Sequence, residues 1–240
     1  MRTKIIYEDN HIIIVHKPAG LATQTSHIGQ QDVVSELKNY LTKAGHGSGG
    51  VKTPNVAAGK SISGQPYLGI IHRLDQPVEG LLVFAKTKDA AAKLTKQLSA
   101  GTLNKQYYVV ICGKPSENEG RLVAYLVKEG NSGRIGQPEE KEAKQAVLQY
   151  KVIREINKDC SLADIYIETG RFHQIRLQMS HAGYPILGDL KYGSQVSIEL
   201  SRKYGVRNVA LYAYAIQLQH PVTGKKLEFS FQPEFKYLQE

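Results

Sequence analysis

The sequence predicts an α+β protein: one domain, residues 1–240, built on a predominantly antiparallel mixed β-sheet flanked by helices and loops. Segments rich in Val, Ile, Leu and Tyr follow one another between Lys105 and Glu168 with only short turns between them, and strands joined by short turns pair antiparallel. Helical apolar spacing is confined to a few separate stretches. No internal repeat and no linker marks off a second domain.

The elements follow in order. Lys4 to Lys17 reads as two strands joined at Glu8-Asp9-Asn10, and Lys17-Pro18-Ala19-Gly20 stops the second. A helix is expected from Asp32 to Lys43, with Asp32 as its cap and a stop near Gly45. Residues 45–66, rich in Gly, Ser and Pro, read as a loop or insertion over one face. A strand runs from Leu81 to Lys86. Lys88 to Ser99 then puts Ala91, Leu94 and Leu98 on one stripe with Lys93 and Lys96 outside it, and Gly101 closes that helix. The strands Lys105–Gly113, Arg121–Lys128, Lys144–Ile156 and Cys160–Glu168 are separated by turns at Gly113-Lys114-Pro115, Asn131-Ser132-Gly133 and Asn157-Lys158-Asp159. Helices are expected at 172–182 and near 195–204, and Val209–Gln219 with Lys226–Phe231 forms a closing hairpin around Pro221-Val222-Thr223-Gly224.

Composition narrows the class of function. A chain of 240 residues with 41% hydrophobic and 22% charged residues supports a substantial core and excludes a disordered segment as its main character. It holds no apolar run long enough to span a bilayer. Ile12-Ile13-Ile14-Val15 follows the acids Glu8 and Asp9 rather than a basic region, so it is no secretory signal and a cytoplasmic location is expected. Cys112 and Cys160 lie in strands without a CxxC pair, which fits reduced buried thiols better than a disulfide or a zinc site. The formal charge of +9 points to a polyanionic partner, since Lys and Arg neutralise phosphates. Fourteen tyrosines stand against no tryptophan; those set among basic residues suit stacking on unpaired bases, and most belong to the core.

Two familiar motifs are decoys. Gly45-His46-Gly47-Ser48-Gly49-Gly50 has the G-x-G-x-x-G spacing but follows a helix instead of a strand, and Gly59-Lys60-Ser61 lacks the first glycine of a phosphate loop because Pro54 stands there. No G-x-S-x-G elbow exists, and Ser180 beside His181 on a helix points away from its neighbour.

Two segments carry charged residues between apolar ones: Ile71-His72-Arg73-Leu74-Asp75, running on to Gly80-Leu81-Leu82-Val83-Phe84-Ala85-Lys86, and Gly170-Arg171-Phe172-His173-Gln174-Ile175-Arg176. Pro77 after Asp75 ends regular structure, so the Asp75 carboxylate sits on a turn at the mouth of a strand, where it can be aimed. By helical spacing Ile175, Met179 and Ala182 share one face and His173, Arg176 and Ser180 another, which makes Arg176 a candidate to face a cleft. Taken alone, each has a plainer reading: Asp75 as a turn former, Arg176 as a surface cation, Tyr107 as a strand-core tyrosine, Arg73 as the partner of a nearby acid.

The wider pattern tilts the balance. Lys17-Pro18-Ala19-Gly20-Leu21, His72-Arg73-Leu74-Asp75 with Gly80-Leu81-Leu82, Lys105-x-Tyr107, Gly170-Arg171-x-His173-Gln174-Ile175-Arg176, Gly183-x-Pro185-Ile186-x-Gly188-Asp189 and Tyr192-Gly193, in this order, resemble the RluA-type RNA pseudouridine synthases over almost the whole chain. The resemblance implies their fold and a reaction in which a uridine loses its N1 to C1′ bond, the uracil rotates, and C5 is joined to C1′, with no cofactor and no metal. It makes Asp75 the catalytic acid, as a nucleophile or as a base toward the sugar, ionised in either case; Arg176 the cation that keeps it charged; and Tyr107 the ring that stacks on the extruded uracil. It also assigns substrate binding to Arg73, which fills the gap left by a flipped base, and to His72, Arg171, Ile175 and Leu177. His72 and His173 read as hydrogen-bonding supports more than as general bases.

The chain departs from that family's pattern at Val78 and Glu79, where Thr-Ser is usual, and at Phe172, Gln178 and Tyr184, which replace threonine, histidine and histidine. The small N-terminal S4-like RNA-binding module of many relatives is absent from the reading, so RNA selection falls to the basic face and the 45–66 loop. The expected partner is ribosomal or transfer RNA, with no membrane and a monomeric enzyme. The competing expectation is an RNA-binding or RNA-folding protein on the same scaffold without turnover.

Overall fold

The computed structural model describes residues 1–25, 27, 29–46 and 66–234. Most of the expected loop at 45–66, with the greater part of both decoy motifs, lies outside these residues. Two compact units are distinguished: Met1–Asn104 with Ile216–Phe229, and Lys105–Ala215 with the chain from Ser230 on.

The first unit contains β1 (Lys4–Glu8), β2 (Ile12–Lys17), α1 (Val33–His46), β3 (Gly69–Ile70), β4 (Glu79–Ala85) and α2 (Lys88–Ser99). β2 pairs antiparallel with β1 on one side and β4 on the other, and β3 adds a short antiparallel pairing to β4. Ile12, Ile13, Ile14 and Val15 are all fully buried, so β2 is covered on both faces and shows a continuous apolar run in place of alternation. Its entry is fixed by Asp9, whose carboxylate accepts from the His11 and Ile12 amides.

The Asp32 carboxylate accepts from the Ser35 amide at 2.7 Å, the cap expected of it, and α1 continues past Gly45 to His46. α2 begins with Thr87 accepting from the Ala90 amide and ends before Gly101, whose φ of 70° is the left-handed stop. Its buried residues are Ala90 and Leu94, with Ala91 and Leu98 half-buried beside them, and this stripe packs on β4.

The second unit holds β5 (Asn104–Cys112), β6 (Glu119–Glu129), β7 (Ser132–Gly136), β8 (Lys144–Asn157) and β9 (Cys160–Ile167), in the antiparallel order β5-β9-β8-β6-β7. The turn expected at Asn131-Ser132-Gly133 is made by Gly130, at φ 55°, and Asn131, while Ser132 and Gly133 already belong to β7. Gly133 pairs with Lys128 of β6 at a place that suits glycine: a Cβ there would lie 3.0 Å from the Leu177 side chain and 3.2 Å from the Val127 carbonyl. Its amide donates to the Tyr192 hydroxyl at 2.9 Å. Cys112 and Cys160 stand opposite each other across β5 and β9 as buried free thiols.

Two helices follow, α3 (Gln174–His181), packed on β6 and β7, and α4 (Gln195–Lys203), capped by Ser194. β10 (Leu211–Gln219) contributes residues to both units and forms with β11 (Lys226–Ser230) the expected hairpin. Among the described residues the architecture is thus α+β, with antiparallel strand pairing and four helices. Among the described residues no helix is long and apolar enough to cross a membrane, and no group of three or more His, Cys, Asp and Glu side chains is placed to hold a metal.

Candidate active site

Asp75 is half-buried on a turn that leads into β4, closed by the Val78 amide donating to the Asp75 carbonyl at 3.1 Å. The residues around it are pinned from several directions. Thr23 brackets Leu74: its hydroxyl donates to the Leu74 carbonyl at 2.9 Å and accepts from the Leu74 amide at 3.1 Å. On the other flank the Gly20 amide donates to the Gln76 carbonyl at 2.9 Å, and the Gln76 side chain returns a bond to the Gly20 carbonyl. Gly20 has φ 79°, a conformation glycine adopts without strain, which lets the Lys17-Pro18-Ala19-Gly20 turn lie against this segment. His72 is buried, and its Nε2 accepts from the Val83 amide, tying the start of the segment to β4. Arg73, next to the acid, is exposed.

Beneath this turn lies Lys17, with no exposed surface. Its ammonium donates to the carbonyls of Leu21 at 2.7 Å, Gln76 at 3.1 Å and Pro18 at 3.2 Å, one acceptor for each proton. Burial pushes its pKa down to about 7, while the negative charges of Asp75 and Glu79 resist that fall. Lys17 is therefore both a tie between two turns and a local positive charge toward the acid. Glu79 itself is held by His16, with Oε1 at 2.9 Å from Nε2.

In the second unit Arg176 is buried, 5% exposed, and grips Asp189 with two parallel bonds, Nε to Oδ2 at 2.7 Å and Nη2 to Oδ1 at 2.8 Å. Asp189 also accepts from the Lys191 and Tyr192 amides, which fixes it in a turn. Gly188, at φ 81°, permits that turn, and a Cβ there would collide with the Asn208 backbone. The guanidinium lies 5.0 Å from the Tyr192 ring centre. The Asp189 fork uses Nε and Nη2 and so orients Nη1.

α3 begins two residues later than its sequence pattern suggests. The buried Gln174 side chain accepts from the Thr169 hydroxyl and the Arg171 amide and donates to the Val147 carbonyl, so it spans the preceding turn. His173 enters the helix with φ 52°, alone among the described non-glycine residues in that region. Its Nδ1 lies 2.6 Å from the Tyr192 hydroxyl. The helix is buried from Gln174 to Met179, so the two faces expected of it are both covered. Leu177 packs with Leu126 and Ala146, and Ile175 is likewise buried. Tyr107 is buried on β5 opposite Ile165, and Arg171 is exposed with its Nε donating to the Gln145 carbonyl.

The family model described as RNA pseudouridylate synthase matches residues 11–181. The chain belongs to this family. Its members are isomerases that convert uridine in RNA to pseudouridine. Among relatives of the chain, ribosomal large subunit pseudouridine synthase D of Zymomonas mobilis is 32% identical over 231 residues, covering 94% of this chain and 68% of the relative. The synthase D of Pseudomonas aeruginosa is 32% identical, covering 94% and 67%. The chain therefore spans about two thirds of each. The solved structure of human RNA pseudouridylate synthase domain containing 4 has the same fold, with a TM-score of 0.73 at 22% identity over 98% of this chain and 90% of that one.

Three of the five departures from the pseudouridine synthase pattern have physical accounts. Val78 is a core residue at 2% exposure, and the Glu79 charge is partnered by His16. Gln178 donates from its amide to the Leu122 and Ala146 carbonyls, docking α3 onto β6 and β8. Phe172 is exposed. Sequence reasoning gave no separate role to Lys17, Thr23, Asp189 or Tyr192. Lys17, Asp189 and Tyr192 stand inside motifs that were legible, but their partners lie on other turns, and Thr23 left no signal.

Proposed function

We propose that this pseudouridine synthase isomerises specific uridines in ribosomal or transfer RNA, with Asp75 as the catalytic acid acting on a nucleotide swung out of its stack. The N1 to C1′ bond breaks, the uracil turns, C5 joins C1′, and the proton displaced from C5 is balanced by one gained at N1. The observation that carries this reading is the placement of Asp75: a half-buried carboxylate on a turn whose flanks are bonded to Thr23, Gly20 and Lys17, with the Lys17 charge nearby. A group so fixed loses little freedom on reaching a reactive geometry. Both roles open to it, attack on the sugar or removal of a sugar proton, use the carboxylate form.

Arg176 is assigned the cation that keeps this acid charged in the substrate-bound enzyme, and the Asp189 fork supports the role by fixing the guanidinium. Tyr107 is assigned the stacking surface for the extruded uracil. Arg73, exposed beside the acid, is assigned the space left in the RNA, since flipping a base costs a few kcal/mol that an inserted side chain offsets in part. His72, bonded to the β4 backbone, acts by holding this segment. Arg171 is assigned to phosphates; Ile175 and Leu177, being buried, support the substrate surface from below. The net charge of +9 fits an RNA partner.

Two relatives bear the ribosomal large subunit in their names, so large-subunit RNA is the first substrate to test. Transcripts of that RNA and of transfer RNAs, labelled with tritium at uridine C5, should release tritium on incubation with the enzyme, and nucleoside mass spectrometry should find a matching amount of pseudouridine. Tight binding with no release from either RNA class would favour a silent RNA-binding protein.

A further inference from the structure

The geometry points to a second RNA contact: Phe172, backed by His173, is a platform on which an unpaired base of the substrate stacks, with Lys128 taking an adjoining phosphate. This rests on the RNA-modifying reading above and names a further contact with the same RNA. Phe172 is 37% exposed, unusual for a phenylalanine next to a buried helix. The left-handed turn at His173 brings the two neighbouring rings face to face, with centroids 3.7 Å apart and planes 23° apart. His173 is in turn held at its edge by the Tyr192 hydroxyl, which receives the Gly133 amide from β7. The exposed ring is thus one layer of a stack already in place, and a base landing on it meets a surface that needs little ordering.

The surroundings carry the charge that a nucleotide requires. The Lys128 ammonium sits over the Phe172 ring, 5.1 Å from its centre. An arriving base replaces this cation over the ring, and the displaced ammonium finds the phosphate that the base brings with it. Arg171, next to Phe172, and Lys191, next to Tyr192, are exposed as well. Stacking of this kind tolerates any base, so Phe172 strengthens the hold on an unpaired segment without dictating its sequence.

The chain has no tryptophan, so Phe172→Trp creates a single fluorescent reporter at the platform. Titration with a single-stranded uridine-rich oligoribonucleotide should quench it in a saturable way, and a blunt RNA duplex should quench it far less. Ile153→Trp is the control, on an exposed position beyond the opposite end of β6, roughly 30 Å along the strand from Lys128. It should not respond. Phe172→Leu should weaken oligonucleotide binding about tenfold and raise KM more than it lowers kcat, with Phe172→Tyr restoring both. Lys128→Ala should reduce the salt dependence by about one phosphate contact. Unchanged fluorescence of the Phe172→Trp protein, while anisotropy of labelled RNA shows binding and tritium is still released, would overturn the platform and leave the enzyme reading intact. Absence of RNA binding and of tritium release by the wild-type protein would overturn both.

Discussion

The Arg176 guanidinium and the Asp189 carboxylate form a two-pronged ion pair with side chains only 5% and 1% exposed. Desolvation makes such a pair costly to break from one side. Asp189→Ala takes the carboxylate away from a buried cation and should lower unfolding stability by about 3–5 kcal/mol, measured by urea denaturation. Asp189→Asn, which keeps the turn's shape and some hydrogen bonding, should cost less. Both variants should lose activity beyond what their folded fraction explains, because the guanidinium is no longer fixed.

Lys17 should give the stability curve a definite slope. Its pKa falls from 10.5 in the unfolded chain to about 7 in the fold, so between these values the unfolded chain holds a proton that the native protein has released. Stability contributed by this group therefore rises with pH across that window, by up to about 1.4 kcal/mol per unit, and is flat below it, where the cost of burying the charge is fully present. Lys17→Met should remove this group's part of the slope and strand the Leu21 carbonyl, at a cost of about 1–3 kcal/mol for a buried unsatisfied group. Denaturant melts at pH 7 and pH 9 measure both effects.

Asp164 behaves in the opposite sense. Burial raises its carboxyl above the ordinary value, against the bond donated by the Tyr214 hydroxyl, so the native protein holds a proton that the unfolded chain has lost. Stability from this group is present at low pH and declines as pH rises above 3.8. Asp164→Asn should therefore be at least as stable as wild type at pH 7, with the difference shrinking toward pH 3. A lower melting temperature for the variant at pH 7 would contradict this.

Gly188 tests the placement of Asp189 from the backbone side. At φ 81°, with the Asn208 carbonyl where a Cβ would project, Gly188→Ala adds both strain and a clash. It should destabilise by several kcal/mol, near the cost of losing the ion pair itself, whereas Gly170→Ala, which meets nothing within 4 Å, should be nearly neutral.

Local chemistry made much of this legible. The Asp32 cap, the Gly101 stop, the Pro77 turn that carries Asp75 and the closing hairpin are short-range events, and the residues that cause them are adjacent in sequence. What escaped was tertiary. β7 is hidden because Gly133 carries the signature of a turn, yet it pairs with Lys128 of β6 and its amide donates to the Tyr192 hydroxyl. The sequence pattern makes α3 too long because nothing local shows that Gln174 reaches back to Thr169 and Val147. Lys17 ends β2 as its sequence suggests, but its burial is not legible there, because a lysine belongs at the surface unless three carbonyls surround it, and those come from separate turns. The Arg176 fork was missed for the same reason: thirteen residues and two turns separate it from Asp189.

The central claim is that the Asp75 carboxylate performs the chemistry. Single-turnover release of tritium from RNA labelled at uridine C5 tests it, with Asp75→Asn compared to wild type and RNA affinity measured alongside. Binding should remain within a few-fold while release falls by roughly 10⁴ or more. Release at the wild-type rate by Asp75→Asn would place the reaction on another group.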